Sequence, residues 1–284
     1  MKTFLNNYLL ILAILFLSGC TNEELDTDFT NIENSNTQTL KSTIHQGFWE
    51  NVFTDQFNGA SYVSFENNWN YLYPWGSDHN GSARMYGSSS DHNHIYKNGR
   101  GYLTIKASRI NWNEGNSSHD PWLPIRYHSG AIYAKKKVNI SDQFPEWSLE
   151  ARIAAPSSRG TWPAFWITHD GPWNAESDIM EYKGSKVCWQ NTWDLGWEET
   201  KTTVYKPGYW HTYKVWITKE GNHVDLHYYI DGIWKGQHRG NYFTYKNLNI
   251  ILNLQMEGAS GNYGPAGNTY MFIDWITVDR KRAY

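Results

Sequence analysis

Apolar side chains recur at every second position over much of this chain, and that period fixes what it can fold into. In Tyr102-Leu103-Thr104-Ile105-Lys106-Ala107, Leu103, Ile105 and Ala107 fall on one side, as a half-buried strand requires. From His223 to Ile230 the residues Val224, Leu226, Tyr228 and Ile230 share a face. Asp231-Gly232 follows, a favoured hairpin pair because both residues tolerate positive φ. Leu248 to Glu257 and Tyr270 to Val278 predict further strands. No segment has a long amphipathic helical repeat, and 23 glycines and 9 prolines punctuate the chain too often for a helical bundle. The expectation is an all-β fold of two stacked antiparallel sheets.

The first residues have a different logic. Lys2 precedes a ten-residue apolar run, Tyr8 to Leu17, which is too short to span a bilayer and reads as a signal peptide. Leu17-Ser18-Gly19-Cys20 resembles the lipobox of bacterial lipoproteins, which implies removal of residues 1–19 and acylation of Cys20 as a membrane anchor. Residues 20–42 are polar, acidic and poor in aromatics, so they read as a flexible tether with a reach of roughly 25 Å. Glu23 and Glu24 resemble the acidic surface-export signal of Bacteroidetes lipoproteins. The expected location is the cell envelope, at the outer membrane or cell surface. Residues 43–284 are left as one large β domain, expected to be monomeric.

Composition narrows the function. Without residues 1–19 the formal charge falls from −3 to −4, which argues against a nucleic-acid partner. Cys188 is then the one unmodified cysteine, so no disulfide can form within the chain, and it reads as a small buried apolar residue. The 16 Trp, 20 Tyr and 11 Phe fit either an aromatic-rich β core or a surface that stacks on the C–H faces of sugar rings.

Glu176-Ser177-Asp178-Ile179-Met180-Glu181 carries the chemistry. On a regular strand Glu176 and Asp178 share a face, but Glu181, five residues from Glu176, points the other way. A one-residue bulge around Ile179-Met180 would bring all three acids to one surface. Glu176 and Glu181 would then be about four strand steps apart, and side chains leaning inward would bring the carboxyls to about 5–6 Å, the range of retaining glycosidases. The same acids also fit a solvated strand face or, less well, a calcium loop.

From these residues onward the chain resembles glycoside hydrolase family 16, whose signature is E-x-D-x-E or the bulged E-x-D-x-x-E present here. The similarity extends through Phe53-Thr54-Asp55-Gln56-Phe57, Gly101 to Ala107, Ser129-Gly130-Ala131-Ile132, Glu150-Ala151-Arg152 and Trp162 to Trp166. It continues through Trp210-His211-Thr212-Tyr213, Tyr229-Ile230-Asp231-Gly232, Leu252-Asn253-Leu254 and Ile273-Asp274-Trp275. The resemblance implies a β-jelly-roll sandwich with a substrate cleft on its concave face. It also implies Glu176 as nucleophile, Asp178 as assisting acid, Glu181 as proton donor and acid/base, and Trp166 as the cleft floor. No cofactor is required; a structural calcium, with Asp274 among its ligands, is the one cofactor the resemblance offers. A lectin on the same fold is the competing class, but it would gain nothing from three mutually repelling acids.

The substrate implied is a polysaccharide. Tyr71-Leu72-Tyr73-Pro74-Trp75-Gly76 resembles a segment of the family's agarases and porphyranases, which points to a β-1,4-linked red-algal galactan. Trp75, Arg84 and Arg159 are candidate substrate ligands, since a sulfate ester would suit an arginine fork and so favour porphyran over agarose. Laminarin and carrageenan stay as alternatives. Asn253, Gln255 and Glu257 form a polar row on one strand that fits either a cleft lining or a solvated face, and Asn253 and Glu257 are taken as binding candidates. His211 fits either the cleft or the core. For the N-terminus, Cys20→Ala is expected to abolish labelling of the protein by a fatty-acid analogue in growing cells.

Overall fold

The computed structural model describes residues 45–59 and 61–284. The signal segment 1–19, the anchor Cys20 and the tether 20–42 lie outside the described residues.

Alternation becomes two stacked sheets forming a jelly-roll β-sandwich. The seven-stranded sheet runs, edge to edge, Trp197–Thr203, Val187–Trp193, Glu176–Tyr182, Thr161–His169, Leu248–Met256, Ala131–Ala134 and Trp69–Tyr71. The ten-stranded sheet is built around Glu146–Ala154 and the long Thr269–Ala283, with Gly47–Asp55 paired to the latter. Among the described residues all strand-to-strand ladders are antiparallel except Ala83–Met85 with Tyr127–Ser129. The only α-helix among the described residues is the six-residue Val63–Asn68.

Strand limits follow from local chemistry. His223–Ile230 ends where Asp231 (φ 52°) and Gly232 (φ 73°) turn the chain into Ile233–Gly240. Leu248–Met256 stops at Glu257, whose φ of 59° leaves the extended region and starts the short turn Gly258–Ser260. The last strand runs beyond Val278 to Ala283 because Asp279 to Ala283, poor strand formers alone, are held by ladders to Gly47–Asp55 and Glu146–Ala154.

Between the sheets lie Leu149, Ile217, Leu226 and Ile276 from one side and Phe165, Ile167, Ile250 and Leu252 from the other, all fully buried. Each such side chain contributes about 1.5–3 kcal/mol by leaving water. Cys188 is buried among them, and burial pushes its thiol up to about 12, which leaves it inert. His211 belongs to the ten-stranded sheet, where its ring meets Asp231 (2.7 Å) and the Tyr205 carbonyl (3.1 Å), so it ties a turn and faces neither cleft nor core. Asp274 is ion-paired with Arg152.

A polar network crosses the core. The Tyr228 hydroxyl lies 2.7 Å from the hydroxyls of both Ser177 and Thr192 and donates to the Asn191 carbonyl at 3.0 Å. Tyr182 and Tyr213 exchange a second inter-sheet bond of 2.9 Å. Tyr228→Phe leaves the buried Ser177 hydroxyl without a partner, while Thr192 keeps His238 at 3.0 Å, and is expected to destabilise the domain by about 1–3 kcal/mol in urea unfolding.

Candidate active site

Ladder register shows how one strand presents three acids. Against Val187–Trp193, Glu176 opposes Trp193 and Asp178 opposes Asn191, but Glu181 opposes Trp189, so one extra residue is absorbed between Asp178 and Glu181. The shift recurs against Thr161–His169, between Asp178 and Met180. Glu176, Asp178 and Glu181 therefore all open on a void of about 40 Å³ in the outer face of the seven-stranded sheet, with His79, Asn80, Trp162 and Trp166 beside them. Ser177 and Tyr182 point inward into the polar network.

Each outward acid is held differently. Glu181 accepts from Trp162 Nε1 at 2.5 Å and Asn191 Nδ2 at 2.9 Å, and Lys183 Nζ lies 2.9 Å from the same oxygen as Asn191. Asn191 Nδ2 also reaches Asp178 at 3.0 Å, so a single amide bridges two acids. Glu176 accepts from Trp173 Nε1 at 2.8 Å.

Burial raises the Glu176 carboxyl to about 7, against the Trp173 N–H and with help from the Glu181 charge. Burial and the charges of Glu181 and Glu176 raise Asp178 well above its ordinary value, against the Asn191 amide, which favours its protonated form. His79 is lowered to about 4 by burial and stacks on Trp166 as a neutral ring.

Above the void opens a cleft of about 630 Å³ with an aromatic lining of Trp75, Trp162, Trp166, Trp173 and Trp197. Trp75 stacks on Tyr73 and gives its N–H to the Asp78 carbonyl at 3.2 Å. Trp166 stands on the strand opposite Asp178 and donates to Asn253 at 2.8 Å, so Asn253 orients this ring from beneath. Trp173 and Trp193 stack with centroids 4.8 Å apart beside the nucleophile candidate.

Three proposed ligands lie elsewhere. The Arg84 fork grips Asp78 at 2.8 and 3.0 Å and reaches Glu114 at 3.1 Å, so it braces two loops and does not face the cleft. Glu257 is buried with Arg126 at 3.3 Å, Arg109 at 3.6 Å and the Gly264 amide at 3.2 Å, and it secures the turn beside the cleft. Arg159 is exposed in the loop next to Gly184 and Gly261, outside both the void and the cleft.

Other site members were not singled out from the sequence. Asn191 was within reach, because Trp189, Asn191 and Trp193 alternate on one face of Val187–Trp193. Trp173, His79 and Asn80 come from loops, whose direction no periodicity encodes.

A β-sandwich cleft floored by paired carboxylates and walled by tryptophan defines a polysaccharide-cleaving glycoside hydrolase. No family model matches the chain. It is 36% identical over 224 residues to a galactan endo-β-1,3-galactanase of Flammulina velutipes, covering 78% of this chain and 88% of that protein. Among solved structures, the endo-β-1,3(4)-glucanase SCLam of family GH16 superposes with a TM-score of 0.64 at 19% identity, covering 85% of this chain and 95% of that one. The endo-β-1,3-glucanase of Pyrococcus furiosus gives 0.64 at 20% identity, covering 83% and 96%. The chain belongs to glycoside hydrolase family 16.

Trp173→Phe keeps an aromatic ring but removes the indole N–H that donates to Glu176. The limb of the pH profile of kcat/KM set by Glu176, near 7, is expected to move to higher pH; an unmoved limb would show that the bond does not tune this carboxyl.

Proposed function

We propose that this enzyme cleaves internal β-linkages of a galactan by double displacement, with Glu176 as nucleophile, Glu181 as acid/base and Asp178 as the proton-holding assistant. The observation that carries this is the bulge, which turns all three acids into one aromatic-walled cleft. Glu176 attacks the anomeric carbon while Glu181 gives its proton to the departing oxygen. The donors on Glu181 suit the carboxylate it becomes, so they act most strongly as charge develops there. Glu181 then takes a proton from water, which releases the sugar from Glu176 with the original configuration. Neutral Asp178 lowers the total charge and leaves Glu176 free to be an anion.

The galactanase relative supports a galactan and a β-1,3 linkage. A sulfated, β-1,4-linked porphyran had its support in Arg84 and Arg159. With the Arg84 fork spent on Asp78 and Glu114, that support is gone, and porphyran and agarose rank below β-1,3-galactan. The lipobox at Cys20 supports display on the cell envelope.

One observation favours reversed roles: Glu181 has three donors suited to an anion, whereas Glu176 has one and a raised carboxyl. Azide separates the two. Glu176→Ala and Glu181→Ala should each cut kcat by at least roughly 10²-fold. Azide should then yield an α-glycosyl azide from the first variant and a β-glycosyl azide from the second; the swapped pair reverses the roles. Proton NMR of the wild-type reaction should show a β-anomer first, and β-1,3-galactan should be cut faster than agarose, porphyran or laminarin.

A further inference from the structure

The outer face of the ten-stranded sheet, across the sandwich from the acids, holds a groove that hydrolysis does not use. Solvated sheet faces are ordinarily polar. Here Trp49, Ser148, Lys214, Trp216 and Asp279 line a groove of about 380 Å³, and Trp49 is 45% exposed. Register builds it: Asp279 opposes Ser148, Ser148 opposes Trp216, and Trp49 stands on the next strand opposite Lys281. The two tryptophans are thus three strand spacings apart, roughly 14 Å between backbones, with a carboxylate and a hydroxyl between them. The middle and one end are braced, since Asn51 donates to Asp279 at 2.7 Å and Trp216 donates to Glu146 at 3.2 Å.

We propose that this groove is a second, non-catalytic site for a neutral β-linked polysaccharide of the same class as the substrate; its sugar rests on the galactan reading above. A pyranose ring offers an apolar C–H face and a rim of hydroxyls. The tryptophans supply the matching aromatic walls. Asp279 accepts, Lys214 donates and Ser148 does either. The other occupants fit less well. The centre of a subunit interface is depleted of charge, yet here an ammonium and a carboxylate line the groove. An anionic membrane selects an excess of cations, and this groove carries one charge of each sign. A polymer held at both faces gains effective concentration at the cleft, whereas a short oligosaccharide gains nothing.

The test measures depletion of the full-length protein from solution by insoluble β-1,3-galactan and insoluble laminarin, in a Glu176→Gln background that prevents digestion. Trp49→Ala and, separately, Ser148→Arg, which fills the groove without removing an aromatic wall, should each weaken adsorption at least about tenfold. In the active enzyme both should leave kcat/KM on a soluble tetrasaccharide unchanged while slowing attack on the polymer. If one variant fails to fold, the other decides. Equal adsorption of parent and variants overturns the site. So does a groove-dependent dimer in sedimentation, or groove-dependent binding to phosphatidylglycerol vesicles with polysaccharide adsorption intact. Groove-dependent adsorption to laminarin but none to galactan upholds the site and overturns the galactan reading instead.

Discussion

A strand shows only alternate residues to a given face, and the active site depends on a single breach of that rule. The extra residue between Asp178 and Glu181 moves the second glutamate onto the face of the first. Without it, Glu181 would be driven into the sandwich, where an unpaired carboxylate is costly, and the cleft would lose the partner of Glu176. The same slip leaves Ser177 and Tyr182 pointing inward to Tyr228 and Tyr213. Inter-sheet hydrogen bonds thus brace the strand on its back while the acids stand on its front.

Three acids on one buried patch repel one another, and the surroundings answer in two ways. Donors are supplied where a negative charge resides or develops: Trp162, Asn191 and Lys183 at Glu181, and Trp173 at Glu176. At Asp178, which only shares the Asn191 amide with Glu181, burial and the neighbouring charges favour the proton. Unequal environments therefore separate the roles of like groups, which is the basis of acid and base chemistry in one site.

Arginine in an acidic chain illustrates a competition that motif reading passes over. Arg84 sits close to cleft loops in sequence, but Asp78 and Glu114 offer it a planar, bidentate partnership within the fold. A ligand would have to displace these internal partners to recruit it, leaving the Asp78 carboxylate without its fork. Glu257 has the same fate with Arg109 and Arg126. Both residues shape the cleft by fixing the loops around it.

Sequence alone determined the all-β class, because period two puts the apolar face of each strand on one side, and the family resemblance narrowed that class to a jelly-roll sandwich. It also determined the acid triplet and its bulge, since five residues cannot otherwise bring Glu176 and Glu181 to one side. Trp166 was legible through the family resemblance, and Asn191 lay within reach by strand alternation. The tertiary structure decided what lies beyond one strand. Trp173, His79 and Asn80 meet the acids from loops, and Arg84 and Glu257 turn to carboxylates and arginines far from them in the chain. Strand geometry is repetitive and propagates from residue to residue, so it can be read locally. A loop side chain goes where long-range packing and charge pairing place it, and those partners exist only once the chain has closed on itself.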